Sequence, residues 1–206
     1  KTPLVLSMHG GLMTGWGQAI YTSWTMVADR DNIIVVFPNA HANRLWTLEG
    51  SEREKAACEE MPEELRLCFA APTPEENHDL KFIFALLEKI KGKYNIDEER
   101  IFMQGMSNGS MFTTQFEKYF GNILAGASGA GGSILNLRQF FDRDWKPVNT
   151  AGPVPVWETK PELNGMPPWC EFDESITYKY SRLYWQEVNG CHETPQISIV
   201  GEDNMA

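Results

Sequence analysis

The sequence predicts an α/β fold, a mostly parallel sheet with helices on both faces, and three observations carry that expectation. Short apolar runs at residues 4–8 and 33–37 lack the polar alternation of a half-solvated strand, so they suit strands covered on both sides. Between such runs lie stretches in which apolar residues return every three or four positions, as crossover helices require. One run, Arg100-Ile101-Phe102-Met103-Gln104, passes straight into Gly105-Met106-Ser107-Asn108-Gly109, and a helix-like stretch follows over 108–119. Strand, sharp turn and helix are thus expected around Ser107.

Taken in order, residues 4–8 form the first buried strand, ending at His9-Gly10-Gly11. Residues 16–28 place Ile20, Trp24, Val27 and Ala28 at helical spacing, and Asp29-Arg30-Asp31-Asn32 ends that pattern. The strand over 33–37 is closed by Pro38-Asn39 and opens a connection over 40–74, rich in Glu and without clean periodicity. Its acidic run reads as a solvated face. Trp46, inside that connection, is either a stacking platform for a substrate ring or the cover of the loop's own small core. Asn77-His78-Asp79 supplies helix-start residues, after which Leu80, Ile83, Phe84, Leu87 and Ile90 share a helical face. The strand over 101–104, the turn and the helix after it complete a crossover unit. Residues 124–132 read as a strand entering a small-residue loop, 153–157 as a further strand, 173–187 as a helix with Ile176, Tyr180, Leu183 and Tyr184 on one face, and 197–200 as the last strand.

At 206 residues one domain over 1–206 is expected, large enough to bury about 70% of the surface its unfolded chain exposes. Apolar residues at 42% and charged residues at 22% are ordinary globular composition. No apolar run of about twenty residues predicts a membrane span. A net charge of -10 opposes phosphate backbones and anionic lipid, so neither nucleic acid nor membrane is an expected partner. The four cysteines, Cys58, Cys68, Cys170 and Cys191, lack the close pairing of a zinc site, and neither metal nor other cofactor is expected.

The chemistry centres on Gly105-Met106-Ser107-Asn108-Gly109. Gly-x-Ser-x-Gly between a strand and a helix is the nucleophile-elbow pattern, in which glycines allow a tight turn that lifts the serine into an exposed, strained position. Ser128 competes by composition only, because no strand-turn-helix context surrounds it. Upstream, His9-Gly10-Gly11 at the end of an apolar strand could aim backbone amides at a developing oxyanion. Gly11 and Asn108 are the candidate donors, with Leu12 the alternative to Gly11.

Together these segments resemble the α/β-hydrolase superfamily, and within it the secreted feruloyl esterases, acetylxylan esterases and polyhydroxybutyrate-depolymerase-like esterases. The likeness rests on His9-Gly10, Trp16 and Trp24, Val35-Val36-Phe37-Pro38-Asn39, Arg100-Ile101, Ser107-Asn108-Gly109, and the stretch from Tyr184-Trp185 to Asn189-Gly190-Cys191. It covers nearly the whole chain, residues 44–73 being least recognisable. The resemblance implies an α/β-hydrolase fold, an ester substrate and a secreted protein in which Cys58 and Cys68 form a local disulfide or remain free. It implies a serine carboxylesterase cleaving feruloyl or acetyl esters of plant cell-wall polysaccharide through an acyl-enzyme on Ser107. Alternatives are a polyhydroxyalkanoate depolymerase and a degenerate homologue that binds carbohydrate without turnover.

Two members of the expected triad are irregular. The resemblance puts the acid in a Gly-x-x-Asp turn, and the matching Pro161-Glu162-Leu163-Asn164 has Asn164 at that place. Asparagine cannot stabilise an imidazolium by charge, and an Asp-to-Asn change in a serine-protease triad costs about 10,000-fold. Glu162 is the alternative, and Asp173 a more distant one. Of the four histidines, only His192 follows Ser107, on an Asn-Gly-Cys-His turn ahead of the last strand, whereas the family's base lies after it. The base is therefore expected outside this sequence. The start at Lys1-Thr2, directly before a core strand, reads as an excised piece, incomplete at both ends and poorly soluble alone, with the 33–37 strand near an open sheet edge.

Overall fold

The computed structural model describes residues 1–41, 44–60, 70–71, 73–132, 134, 137–159, 176–194 and 196. Among the described residues a five-stranded parallel sheet forms its centre. β1 (Thr2–Met8), β2 (Ile34–Val36), β5 (Ile96–Met106), β6 (Gly126–Ala130) and β7 (Val156–Thr159) lie in the order β2-β1-β5-β6-β7. Helices α1 (Gly15–Tyr21), α2 (Trp24–Asp31), α4 (His78–Lys93), α5 (Asn108–Phe120) and α7 (Ile176–Val188) connect or cover these strands. Leu4, Leu6 and Met8 of β1 are fully buried, as the continuous apolar run requires of a strand with a neighbour on each side. Registers Met8↔Gly105↔Gly129↔Glu158 bring the C-terminal ends of β1, β5, β6 and β7 to one edge, where open α/β sheets bind ligands. The expected strand at 33–37 is β2, at the edge of the sheet formed by the described residues.

Several elements differ from the sequence expectation. One helix over 16–28 is two, because Thr22 is extended (φ -98°, ψ 152°) and its hydroxyl donates to Gln18 O at 2.9 Å. Within α1 Ile20 is 68% exposed while Gln18 faces inward and donates to Ser7 Oγ at 3.1 Å. The connection over 40–74 contains β3 (Leu48–Glu49) and β4 (Ala70–Ala71), paired in parallel, with α3 (Glu52–Glu59) between them. Pairs this short carry too few residues for periodicity to register. In α4, capped by Asn77 Oδ1 accepting from Asp79 N and Leu80 N, Leu80, Ile83, Leu87 and Ile90 face inward. Phe84 instead sits at the margin, its ring 5.3 Å from that of Phe120. A short α6 (Leu137–Phe140) precedes β7. On α7, Tyr184, Trp185 and Ser181 are buried, whereas Leu183 is partly exposed.

Helix α5 runs through the middle of the protein. Phe112 and Phe116 are fully buried with Ile101, Met103 and Leu6, each side chain contributing about 1.5–3 kcal/mol when removed from water. Polar residues on α5 are buried too, so they need partners. Lys118 Nζ meets Glu49 Oε2 at 3.0 Å with both side chains nearly solvent-free, and also donates to Tyr119 Oη and Gln139 O. Thr113 Oγ1 donates to Gly109 O at 2.8 Å. Glu117 is the exception: it is 1% exposed and its Oε2 has no hydrogen-bond partner among the described residues. Burial first, and the nearby Glu158 carboxylate second, hold its carboxyl well above the usual carboxylate range.

Candidate active site

Ser107 occupies the turn between β5 and α5, exposed, with φ 52° and ψ -119°. A non-glycine residue held there costs about 1–3 kcal/mol and persists only where its surroundings impose it. Here the surroundings are backbone. A β-carbon on Gly105 would overlap the Gly109 carbonyl, and one on Gly109 would overlap the carbonyls of His9 and Met8. Both elbow glycines therefore permit contacts that any side chain would block. Ser107 N donates to Ala130 O at 2.7 Å, fixing the turn to the end of β6.

The close approach of Gly109 to the end of β1 also delivers the His9-Gly10-Gly11 turn to the serine. A β-carbon on Gly11 would lie 3.5 Å from Asn108 Cβ. Asn108 is the first residue of α5, so its amide has no intrahelical acceptor and lies at the positive end of the helix dipole. Leu12, the alternative to Gly11, also has positive φ, 64°, but its amide donates to Arg44 O at 2.9 Å. That bond removes Leu12 as an oxyanion donor and leaves Gly11 and Asn108 as the two adjacent candidates. Met13 N closes the turn on Gly10 O at 3.1 Å.

His9 is fully buried beneath this turn. Its Nε2 accepts from Ala40 N at 3.1 Å, so Nδ1 carries the proton and donates to Gly10 O at 2.7 Å. Burial pushes the imidazole below its ordinary pKa, against the opposing pull of the Gly10 bond and the Asp79 charge. His9 is thus a neutral strut with both nitrogens engaged.

Trp46 is not a stacking platform. It is 0% exposed, its Nε1 donates to His9 O at 2.8 Å, and its ring stacks on Phe112 at 4.9 Å. The buried indole braces the turn from below, since Phe112 on α5 and His9 at the end of β1 offer an apolar face and a carbonyl together. Sequence reasoning also missed how its backbone is held. Asn108 Oδ1 accepts from Trp46 N at 2.7 Å and Asn108 Nδ2 donates to Trp46 O at 3.4 Å. Fully buried Asp79 accepts from His41 N at 2.9 Å and from Thr47 N at 2.8 Å. Its only sequence signal was its place in a helix-start cluster.

Ser128 lies within β6, paired to Gln104 and Trp157, and not on a turn. The rings of His41 and His78 are 5.8 Å apart at the start of α4, and His192 is exposed beyond α7. Glu162, Asn164, Asp173 and the strand expected at 197–200 lie outside the described residues, as does the Cys58–Cys68 pairing, while Cys191 is a free, exposed thiol.

No protein-family profile matches the chain. A bifunctional acetylxylan esterase/xylanase from Neocallimastix patriciarum is 25% identical over 126 residues, which is 61% of this chain and 15% of that protein. Among solved structures, an acetyl xylan esterase from Aspergillus awamori superposes with a TM-score of 0.52 at 17% identity, over 71% of this chain and 47% of that one. SOBER1 of Arabidopsis thaliana gives 0.56 at 14% identity, over 92% and 85% of the two chains. A phospholipase/carboxylesterase from Dyadobacter fermentans gives 0.55 at 16% identity, over 91% and 77%. The parallel sheet, the strained serine turn that follows its central strand and these superpositions together establish that the chain has the α/β-hydrolase fold.

Proposed function

We propose that the chain is a serine carboxylesterase acting on acetyl or feruloyl esters of plant cell-wall polysaccharide. The observation that carries this reading is the exposed Ser107 at φ 52°, on a turn whose next residue, Asn108, packs against Gly11. In the proposed reaction Ser107 Oγ attacks the ester carbonyl carbon while its proton passes to a general base, which is not identified among the described residues. The tetrahedral oxyanion is held by the amides of Gly11 and Asn108, and its collapse breaks the ester C–O bond. The sugar alcohol leaves with the proton, and water then hydrolyses the acyl–Ser107 ester. Loss of one such donor in a serine hydrolase costs about 100- to 1,000-fold in turnover. Gly105 and Gly109 act by setting the elbow.

The substrate class rests on the acetylxylan esterase activity in the names of two similar proteins, and on a net charge of -10, which disfavours anionic substrates. Action on such a polymer implies work outside the cell. The test is hydrolysis of 4-nitrophenyl acetate, acetylated xylan, methyl ferulate and poly(3-hydroxybutyrate) by the wild type and Ser107→Ala. Activity on acetylated xylan or methyl ferulate that disappears in Ser107→Ala is expected. Equal rates in the two proteins, or activity confined to the polyester, would overturn the proposal.

A further inference from the structure

Both candidate oxyanion donors depend on one stretch of backbone, residues 44–47. Arg44 O takes the Leu12 amide at 2.9 Å, next to Gly11, and Trp46 N binds the side chain of Asn108 at 2.7 Å. Trp46 Nε1 holds His9 O, one residue before Gly10. This stretch is short and irregular, and Leu48–Glu49 beyond it pairs over only two residues. Local hydrogen bonding cannot make it rigid.

It is held from two sides, by α5 through Asn108 on Trp46 and Gln115 Nε2 on Thr47 O at 3.1 Å, and by the start of α4. Asp79 is fully buried, and each of its carboxylate oxygens accepts one backbone amide, His41 N at 2.9 Å and Thr47 N at 2.8 Å. Asn77 Nδ2 adds a bond to Thr47 O at 2.9 Å while Asn77 Oδ1 caps the helix. A carboxylate with backbone donors on both oxygens makes two charge-assisted bonds, roughly twice as strong as neutral ones, and the first turn of a helix favours its charge. Asp79 therefore spans the connection, tying a residue before the 44–47 stretch to one inside it.

From this geometry we infer that Asp79 is a positioning residue for the oxyanion site. Its carboxylate sets the 44–47 backbone, and that backbone in turn seats the Gly11 turn and Asn108. The inference rests on the proposed esterase reading for its consequence in turnover, but the clamp itself is a property of the fold. Asp79→Asn keeps the shape and replaces one acceptor with a donor that faces a backbone N–H.

The experiment is amide hydrogen exchange together with steady-state hydrolysis of 4-nitrophenyl acetate, on full-length wild type, Asp79→Asn and Asp79→Glu. In Asp79→Asn the amides of Leu12, Trp46 and Thr47 should exchange at least about 10-fold faster while those of Phe102 and Met103 in β5 are unchanged. Turnover should fall about 10- to 100-fold, less than outright loss of a donor, with KM within about 3-fold. Asp79→Glu, which keeps the charge, should recover part of both. Should Asp79→Asn not fold, wild-type exchange decides: the amides of Leu12, His41, Trp46 and Thr47 should open as one unit, and a spread above about 10-fold would overturn the clamp. Unchanged exchange at Leu12 and Trp46, or equal acceleration in β5, also overturns it. Faster exchange in a protein whose wild type hydrolyses no ester would sustain the clamp and remove the esterase reading, whereas Ser107-dependent hydrolysis with unaltered exchange would do the reverse.

Discussion

Glu117 gives the sharpest test of the physical account, because the helix that carries it begins at the residue after Ser107. Its carboxyl is 1% exposed, one oxygen has no hydrogen-bond partner among the described residues, and the Glu158 carboxylate lies near. Burial raises its pKa far above that of the unfolded chain, so the folded state keeps a proton that the unfolded state releases. For a group with a raised folded pKa, the contribution to stability is complete below the unfolded value and declines as pH rises toward the folded one. The folding constant should fall about ten-fold per pH unit on this account, starting near the unfolded carboxylate pKa of about 4.3. Glu117→Gln retains size and polarity but has no proton to lose. At pH 4 the two proteins should unfold at nearly the same urea concentration. At pH 6 the variant should be the more stable by nearly two such decades, or about 2 kcal/mol, provided Glu117 stays protonated across that window. Urea unfolding at pH 4, 5 and 6, read by tryptophan fluorescence, measures the difference directly. A difference that stays constant with pH would refute the assignment of Glu117 as a buried, protonated acid.

Gly109→Ala should lower kcat/KM by about 100-fold or more, because its β-carbon overlaps the His9 and Met8 carbonyls and displaces the elbow; ester hydrolysis with the melting temperature in parallel checks it. His9, with a pKa lowered by burial, rejects a proton that the unfolded chain accepts, so its contribution is present above about pH 6.5 and is lost as pH falls from there toward the folded value. Comparing urea midpoints of wild type and His9→Gln at pH 5 and 7.5 should show a smaller loss on acidification in the variant. Lys118→Met removes the ammonium from buried Glu49, whose other oxygen has no hydrogen-bond partner among the described residues, and should cost about 3–5 kcal/mol. Adding Glu49→Leu should recover most of that cost, since an apolar pair of similar volume tolerates the same burial; equal stability of the single and double variants would contradict it.

What the sequence determined by itself is local. Leu4, Leu6 and Met8 could only be a strand covered on both faces, Asn77 a helix cap, and Gly105 and Gly109 the frame of a sharp turn, because neighbouring residues supply both the pattern and its cause. The break at Thr22 leaves no mark in the sequence because the apolar spacing continues across it, and β3 and β4 are too short to have a period at all. The tertiary structure decided which of those residues serve the site. Trp46 is buried rather than presented because Phe112 and His9 meet around it, and the Leu12 amide is spent on Arg44 O, a bond between turns 32 positions apart in number. Asp79 meets His41 and Thr47 at separations of 38 and 32 residues, and Asn108 meets Trp46 at 62. Hydrogen bonds over such distances leave no periodic trace in a single chain, since each needs only one donor and one acceptor brought together by packing.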